Sequence, residues 1–284
     1  MNNVVLPAGQ RLPPLGLGTW RMGEAARSRK TEVAAVRRAL ELGYRLIDTA
    51  EMYGEGGAEV IVGQALGEAL RAGTVTREEV FIVSKVYPHN ASVTGVQQAC
   101  ERSRRRLGLD TIDLYLLHWR GPHALVDTVA GFQTLQRDGH IRHWGVSNFD
   151  THDMDELMTA PGGEACAANQ VYYSLTERGA AFELLPWLQR HRMPLMAYCP
   201  IDQGRLVQDP VLQQLAQARG VTPAQLGLAW VMRQAGVLAI PKAVREAHLI
   251  ENLAAVALQL DAQDLQALDE RFPPPVRRTP LAMS

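Results

Sequence analysis

The sequence predicts an α/β protein of the (β/α)8 class, a TIM barrel with an N-terminal β-hairpin and a short C-terminal tail. Three observations carry that expectation. Short apolar runs alternate with amphipathic stretches along the whole chain, the order that builds a parallel sheet with crossover helices. Eight such runs can be counted in 284 residues, enough to close a barrel, which needs roughly 250 residues. Many of the amphipathic stretches end in glycine, the residue that turns a helix back into a strand at least steric cost.

The elements follow in order. Asn3-Val4-Val5-Leu6 and Arg11-Leu12 flank Pro7-Ala8-Gly9-Gln10, a hairpin signal, and this hairpin is expected to plug the bottom of the barrel. Strands are expected around residues 15–19, 45–48, 80–84, 113–117, 143–147, 167–171, 194–198 and 237–240. Val33, Val36 and Leu40 recur at helical spacing, and Gly43 closes that helix before the second strand. Gly108 closes the helix before 113–117, Gly139 precedes 141–146, Gly220 follows a helix over 212–219, and Gly236 precedes the last strand. No low-complexity linker or charge block divides the chain, so residues 1–284 are expected to form one domain. The proline-rich tail 271–284 is expected to lie extended on the surface.

Composition narrows the function. Hydrophobic residues make up 46% and charged residues 21%, ordinary for a globular core. The formal net charge of -1 gives no bulk attraction to nucleic acid or an anionic membrane. Cys100, Cys166 and Cys199 show no CxxC spacing and cannot all pair, which points to a reduced, cytoplasmic protein. The start of the chain lacks the basic flank and apolar stretch of a signal peptide. The most apolar stretch, 226–241, is broken by Arg233 and Gln234, so no membrane span is expected. No His/Asp/Glu cluster has ligand spacing, and no metal site is expected. An open dinucleotide-binding sheet is the structural rival. Gly16-Leu17-Gly18-Thr19-Trp20-Arg21 and Gly54-Glu55-Gly56-Gly57-Ala58-Glu59 both lack the third glycine of its fingerprint, and there is no P-loop.

Four polar residues stand just past apolar runs: Asp48, Tyr53, Lys85 and His118. Barrel strands open into active-site loops at such positions. A buried lysine needs a partner, and Asp48 is the natural one; the ammonium would lower the Tyr53 pKa and ready the phenol to protonate a developing alkoxide. His118 would orient the carbonyl in its neutral or charged form. Taken singly, each has a plainer reading: a rim ion pair, a packed histidine, a loop aromatic. Their shared position at strand ends favours one site.

Here the chain resembles the aldo-keto reductase family, closest to bacterial methylglyoxal and aldehyde reductases. Asp48-Thr49-Ala50 with Tyr53-Gly54, Lys85 and His118 match the family's Asp-Tyr-Lys-His tetrad. Trp144-Gly145-Val146-Ser147-Asn148-Phe149, Asn169-Gln170-Val171, Ala197-Tyr198-Cys199-Pro200 and Ile240-Pro241-Lys242 follow in the family's order. The resemblance implies NADP(H), held extended across the barrel mouth. It implies that Tyr198 stacks on the nicotinamide, that Ser147, Asn148 and Gln170 hold the carboxamide, and that Thr19, Trp20 and Asp48 also border the cofactor. Lys242 would meet the phosphates, and Glu251 and Asn252 the adenine, with a helix starting near Val244. Many members carry serine and arginine where this chain has Ala243 and His248. Arg245, one turn earlier, is then the substitute for the missing guanidinium, and NAD use remains open.

The implied reaction is NADPH-dependent reduction of small aldehydes and 2-oxoaldehydes such as methylglyoxal. Tyr53 is the proton donor, Asp48 and Lys85 tune it, His118 positions the carbonyl, and Trp20 and Trp119 wall the substrate. Loops after His118 and Tyr198 that read as short imply an open, shallow pocket. A reductase of keto sugars or keto acids, and a cofactor-binding regulatory subunit with little turnover, are the alternatives. A monomer is expected, with a weak dimer allowed.

Overall fold

The computed structural model describes residues 3–283, so both ends of the expected 1–284 domain and the last residue of the tail lie outside the described residues. Strand β1 (Val4–Val5) pairs antiparallel with β2 (Arg11–Leu12), Val4 opposite Leu12. The turn between them is closed by the Leu6 amide donating to the Gln10 carbonyl at 2.9 Å.

The eight expected barrel strands are all present: β3 (Leu17–Gly18), β4 (Leu46–Asp48), β5 (Phe81–Val86), β6 (Ile112–Leu117), β7 (Ile141–Ser147), β8 (Asn169–Tyr172), β9 (Leu195–Tyr198) and β10 (Val237–Ala239). They are parallel and neighbours in chain order. The ring closes through parallel bridges of Leu15 with Ala239 and Gly18 with Lys242. At that seam a Cβ on Gly18 would stand 2.6 Å from the Ile240 carbonyl oxygen, so only glycine lets the two ends meet. Strand β5 runs two residues past the expected 84, because Lys85 and Val86 pair with Leu116 and Leu117 of β6.

Helices α1 (Arg29–Leu42), α2 (Gly57–Arg71), α3 (Val93–Leu107), α4 (Leu125–Arg137), α5 (Thr151–Thr159) and α6 (Leu184–Arg190) each link successive strands. Helices α7 (Pro210–Ala218) and α8 (Pro223–Met232) both lie between β9 and β10, and α9 (Glu246–Ala254) and α10 (Ala262–Arg271) follow β10. Several boundaries shift from expectation by a residue or two, those of α9 and the tail among them. Helix α9 begins at Glu246 rather than near Val244, with Arg245 still extended at its N-cap. The tail starts after Arg271, which ends α10; the three prolines that follow Phe272 lack the amide to continue the helix.

Side chains alternate along each strand, so one set points into the barrel and the other toward the helices. Leu46, Phe81, Val83, Leu114, Leu116, Met196 and Leu238 fill the interior together with Val4, Leu6 and Leu12 of the hairpin. That shared cluster is the plug expected from the sequence. Ile47, Ile82, Tyr115, Trp144 and Leu195 belong to the outer shell packed under the helices. The apolar filling leaves one end of the interior to Asp48, Lys85 and Gln170. Among the described residues, no helix is long and apolar enough to cross a membrane, and no group of three His, Cys, Asp or Glu could hold a metal ion.

Candidate active site

Asp48 is the last residue of β4, and Lys85 sits on β5 beside it, each almost wholly buried. A buried ammonium has three protons to place, and Lys85 places all three. Its Nζ donates to Asp48 Oδ2 at 2.7 Å, to the Thr49 carbonyl at 2.8 Å and to Tyr53 Oη at 3.2 Å. The second Asp48 oxygen accepts from Gln170 Nε2 at 2.7 Å, across the barrel from β8. Tyr53 is delivered by the turn after β4, which reverses through left-handed Gly54 and Glu55. His118 follows β6 and stands edge-on to the Tyr53 ring, centroids 5.6 Å apart. Trp119 lies 4.9 Å from the imidazole. Residues separated by up to 122 positions in the chain thus meet at one spot.

The electrostatics correct one expectation. Lys85 does not lower the Tyr53 pKa overall; burial, then the Asp48 carboxylate, push the phenol well above its usual value of about 10. Removing Tyr53 from water penalises the phenolate more than one ammonium, already paired with Asp48, can favour it. Tyr53 therefore stands as a protonated phenol with an ammonium beside its oxygen. Burial also disfavours both members of the ion pair, raising Asp48 and lowering Lys85, while their mutual attraction opposes this. His118 is held well below 6.5 by burial and by the nearby Lys85 charge, so its ring is neutral at physiological pH. Its Nδ1 is buried with no hydrogen-bond partner among the described residues.

A cavity of about 750 Å³ opens above this cluster. Trp20, Tyr53, His118 and Trp119 line one part and Ser147, Asn148, Gln170 and Tyr198 another; Lys242, Arg245, His248, Glu251 and Asn252 line a further part. Two expected site residues do not face it. Lys85 lies beneath, and Thr19 is buried with its hydroxyl on the Asp48 carbonyl at 2.9 Å, fastening β3 to β4. Asn148 adopts a left-handed backbone, φ 60°, which aims its amide at the rim. There it accepts from Tyr198 Oη at 2.9 Å and donates to Ser147 Oγ at 3.1 Å. Arg245 contacts His248 at 2.8 Å between Nη2 and Nε2, so the expected substitute guanidinium touches the histidine that stands at the usual arginine position.

The cavity is less open than the sequence implied. The segment after Tyr198 runs on to Asp209 before α7, and its Ile201, Gln203, Gly204 and Val207 form a wall. Asp202 anchors that wall, accepting hydrogen bonds from Tyr172 Oη and, at 2.7 Å, from Arg205. Sequence reasoning missed this wall, as it missed Arg21 and Met52 on the other side. A loop carries no periodicity to say where it folds; the available signal was a run of eleven residues, 199–209, between strand and helix.

Chemically, the protonated phenol, the ammonium behind it and the neutral imidazole suit donation of a proton to a carbonyl oxygen. Lys85, bonded to three oxygens, and Asp48, bonded to Lys85 and Gln170, are engaged with one another rather than presented to a carbonyl carbon. The exposed cations at Lys242 and Arg245 suit a phosphorylated ligand, and the Tyr198 ring a flat aromatic one.

The chain is similar to known proteins over nearly its whole length. The model of the Aldo/keto reductase family matches residues 14–271. The methylglyoxal reductase YeaE of Escherichia coli is 50% identical over 277 residues, 96% of this chain and 95% of that protein. The glyoxal reductase of Bacillus subtilis is 34% identical over 94% of this chain and 92% of its own length. A crystal structure of an aldo/keto reductase from Klebsiella pneumoniae in complex with NADP and acetate superposes with a TM-score of 0.94 at 48% identity, each chain covered in full.

Proposed function

The chain belongs to the aldo/keto reductase family, and from that premise we propose that it reduces small aldehydes and 2-oxoaldehydes such as methylglyoxal to alcohols with NADPH. One observation carries the reading: the Tyr53 hydroxyl, 3.2 Å from Lys85 Nζ, with Asp48 at 2.7 Å behind it. The cofactor contributes, when bound, a hydride for the carbonyl carbon. Tyr53 gives its proton to the oxygen, and the Lys85 ammonium stabilises the phenolate left behind, an interaction stronger in the transition state than before it. Asp48 keeps Lys85 charged and in place. Neutral His118 donates from its imidazole to the same oxygen, orienting the carbonyl. Trp20 and Trp119 exclude water from the reacting face.

The cavity residues fit the cofactor. The Tyr198 ring offers a face for the nicotinamide, and Ser147, Asn148 and Gln170 offer amide and hydroxyl groups for its carboxamide. Lys242 and Arg245 meet the phosphates, with Glu251 and Asn252 at the adenine; Thr19 acts indirectly, by fixing β3 to Asp48. The protein is proposed to work as a single-domain monomer in the cytoplasm. The test is the absorbance of reduced cofactor with purified protein and methylglyoxal or simple aromatic aldehydes, NADPH against NADH. Turnover with NADPH is expected; no turnover of any aldehyde above blank defeats the reading.

A further inference from the structure

Glu51 stands between Asp48 and Tyr53 in the turn that leaves β4, yet it takes no part in the scheme above and does not line the cavity. Its side chain is buried, 5% exposed. A carboxylate taken out of water is costly unless its lone pairs are met, and here three donors meet them. Oε1 accepts from the Tyr87 amide at 2.8 Å and from Asn90 Nδ2 at 3.0 Å. Oε2 accepts from Arg102 Nη2 of α3 at 3.1 Å. All three donors lie on or after the strand that carries Lys85, none on the turn of Glu51 itself.

The placement of the Tyr87 bond is informative. Past the end of β4 the ladder to β5 continues, with the Thr49 amide on the Val83 carbonyl at 2.9 Å and the Glu51 amide on the Lys85 carbonyl at 3.3 Å. In a parallel ladder the Tyr87 amide would next donate to the backbone carbonyl of residue 51. There the chain turns away toward Tyr53, and the side-chain oxygen of the same residue takes the bond instead. Tyr87 grips the far side of the turn as well, its hydroxyl donating to Glu55 Oε1 at 3.1 Å. The turn bearing the phenol is thus tied to the strand bearing the ammonium on either side of the 3.2 Å contact between Tyr53 Oη and Lys85 Nζ. Within the turn, Gly54 and Glu55 are left-handed and Tyr53 is held only to Ala50 by its amide, at 3.1 Å. Local bonds of that kind do not set the distance to another strand.

We propose that Glu51 is the positioning residue for the proton donor: by carrying the β4–β5 ladder on to Tyr87, its carboxylate sets the spacing between the Tyr53 phenol and the Lys85 ammonium. This rests on the reductase reading and adds a residue to the machinery of the same site. Glu51 touches no reacting atom. It acts through Tyr53, so its loss impairs the proton step and leaves the cofactor's seat intact.

The experiment measures single-turnover reduction of methylglyoxal in the native enzyme and in Glu51→Ala, Glu51→Asp and Glu51→Gln. Rates are normalised to NADPH-binding sites, so unfolded molecules do not count. Glu51→Ala should be slowed by about a hundredfold, the scale for a reacting group misplaced by about 1 Å, with NADPH affinity unchanged. Its solvent deuterium isotope effect should rise, because the proton step is impaired while the hydride step is not. Glu51→Gln keeps an amide oxygen for Tyr87 and Asn90 and gives up only the ion pair with Arg102, so it should recover most of the rate. Glu51→Asp keeps the charge but is one methylene shorter; it should be slowed with the same rise in isotope effect, and it carries the test if Glu51→Ala does not fold. Native rates per site in Glu51→Ala or Glu51→Asp, or slowed rates with the native isotope effect, make Glu51 a tie of the fold alone and overturn the proposal. No turnover of any aldehyde by the native enzyme, seen before a variant is made, defeats the reductase reading and this proposal with it.

Discussion

The two ends of the cavity are built on different principles. Around Tyr53, the ammonium of Lys85 is wholly buried and each of its protons is accepted by a named oxygen. Around α9, Lys242 and Arg245 are exposed, and the side-chain partner recorded for Arg245 is a single histidine. A buried charge cannot change alone, because its partner is then left unpaired in a low dielectric. An exposed charge is screened and replaceable. The first end is therefore fixed as a unit, whereas the second tolerates Ala243 and His248 in place of a commoner serine and arginine.

The sharpest way to break this contrast is to remove one member of the buried unit. Lys85→Met should destabilise the fold by about 3–5 kcal/mol, the usual consequence of an orphaned buried charge. Adding Asp48→Asn should return part of the loss, and a urea-denaturation cycle across the four proteins measures it. If Lys85→Met costs under about 1 kcal/mol, the pair is not a unit and the contrast fails.

Tyr53→Phe keeps the ring against His118 and removes the proton. Reduction should fall roughly a thousandfold, within the range for loss of a general acid, while NADPH binding is retained. Single-turnover reduction rates and cofactor titration check both halves, and near-native rates sink the proton-donor role.

At the exposed end effects should be smaller and separable. Lys242→Ala and Arg245→Ala should each weaken NADPH binding by about tenfold, the worth of one charge-assisted contact. NADH binding should change less, and added salt should shrink the difference. Equal losses for both cofactors would remove these side chains from the 2′-phosphate.

The same contrast explains what the sequence revealed. Short apolar runs located the barrel strands, because strands packed on both faces must be apolar along their length; Leu114 to Leu117 of β6 is an example. The tetrad was legible for the converse reason: a lysine and an aspartate at the ends of such runs have few ways to stay charged except together. The wall at Ile201 to Val207 was not legible. It depends on Asp202, buried in a loop and bonded to Tyr172 and Arg205, and nothing in the spacing says that this acid turns inward. Arg21 escaped for a similar reason, since its placement depends on a left-handed turn. The direction of the Tyr53 shift was misjudged because desolvation depends on neighbours that only the fold supplies.

The smallest effect concerns His118, and its sign follows from linkage. The folded protein holds this imidazole well below 6.5, whereas the unfolded chain takes up a proton near the ordinary value of about 6.5. Below that pH the unfolded state binds the extra proton and the folded state does not. Stability is thus lost as pH falls from about 6.5 toward the depressed folded value, and is unaffected above it. His118→Gln cannot titrate, so the stability difference between native protein and variant should be flat above neutrality and should move against the native protein on acidification. Urea midpoints measured on both proteins in parallel across that window cancel the contribution of the carboxylates common to them. A difference that stays constant to low pH would mean that the folded imidazole accepts its proton normally, and His118 would then belong with the solvated charges of α9 rather than with the buried unit.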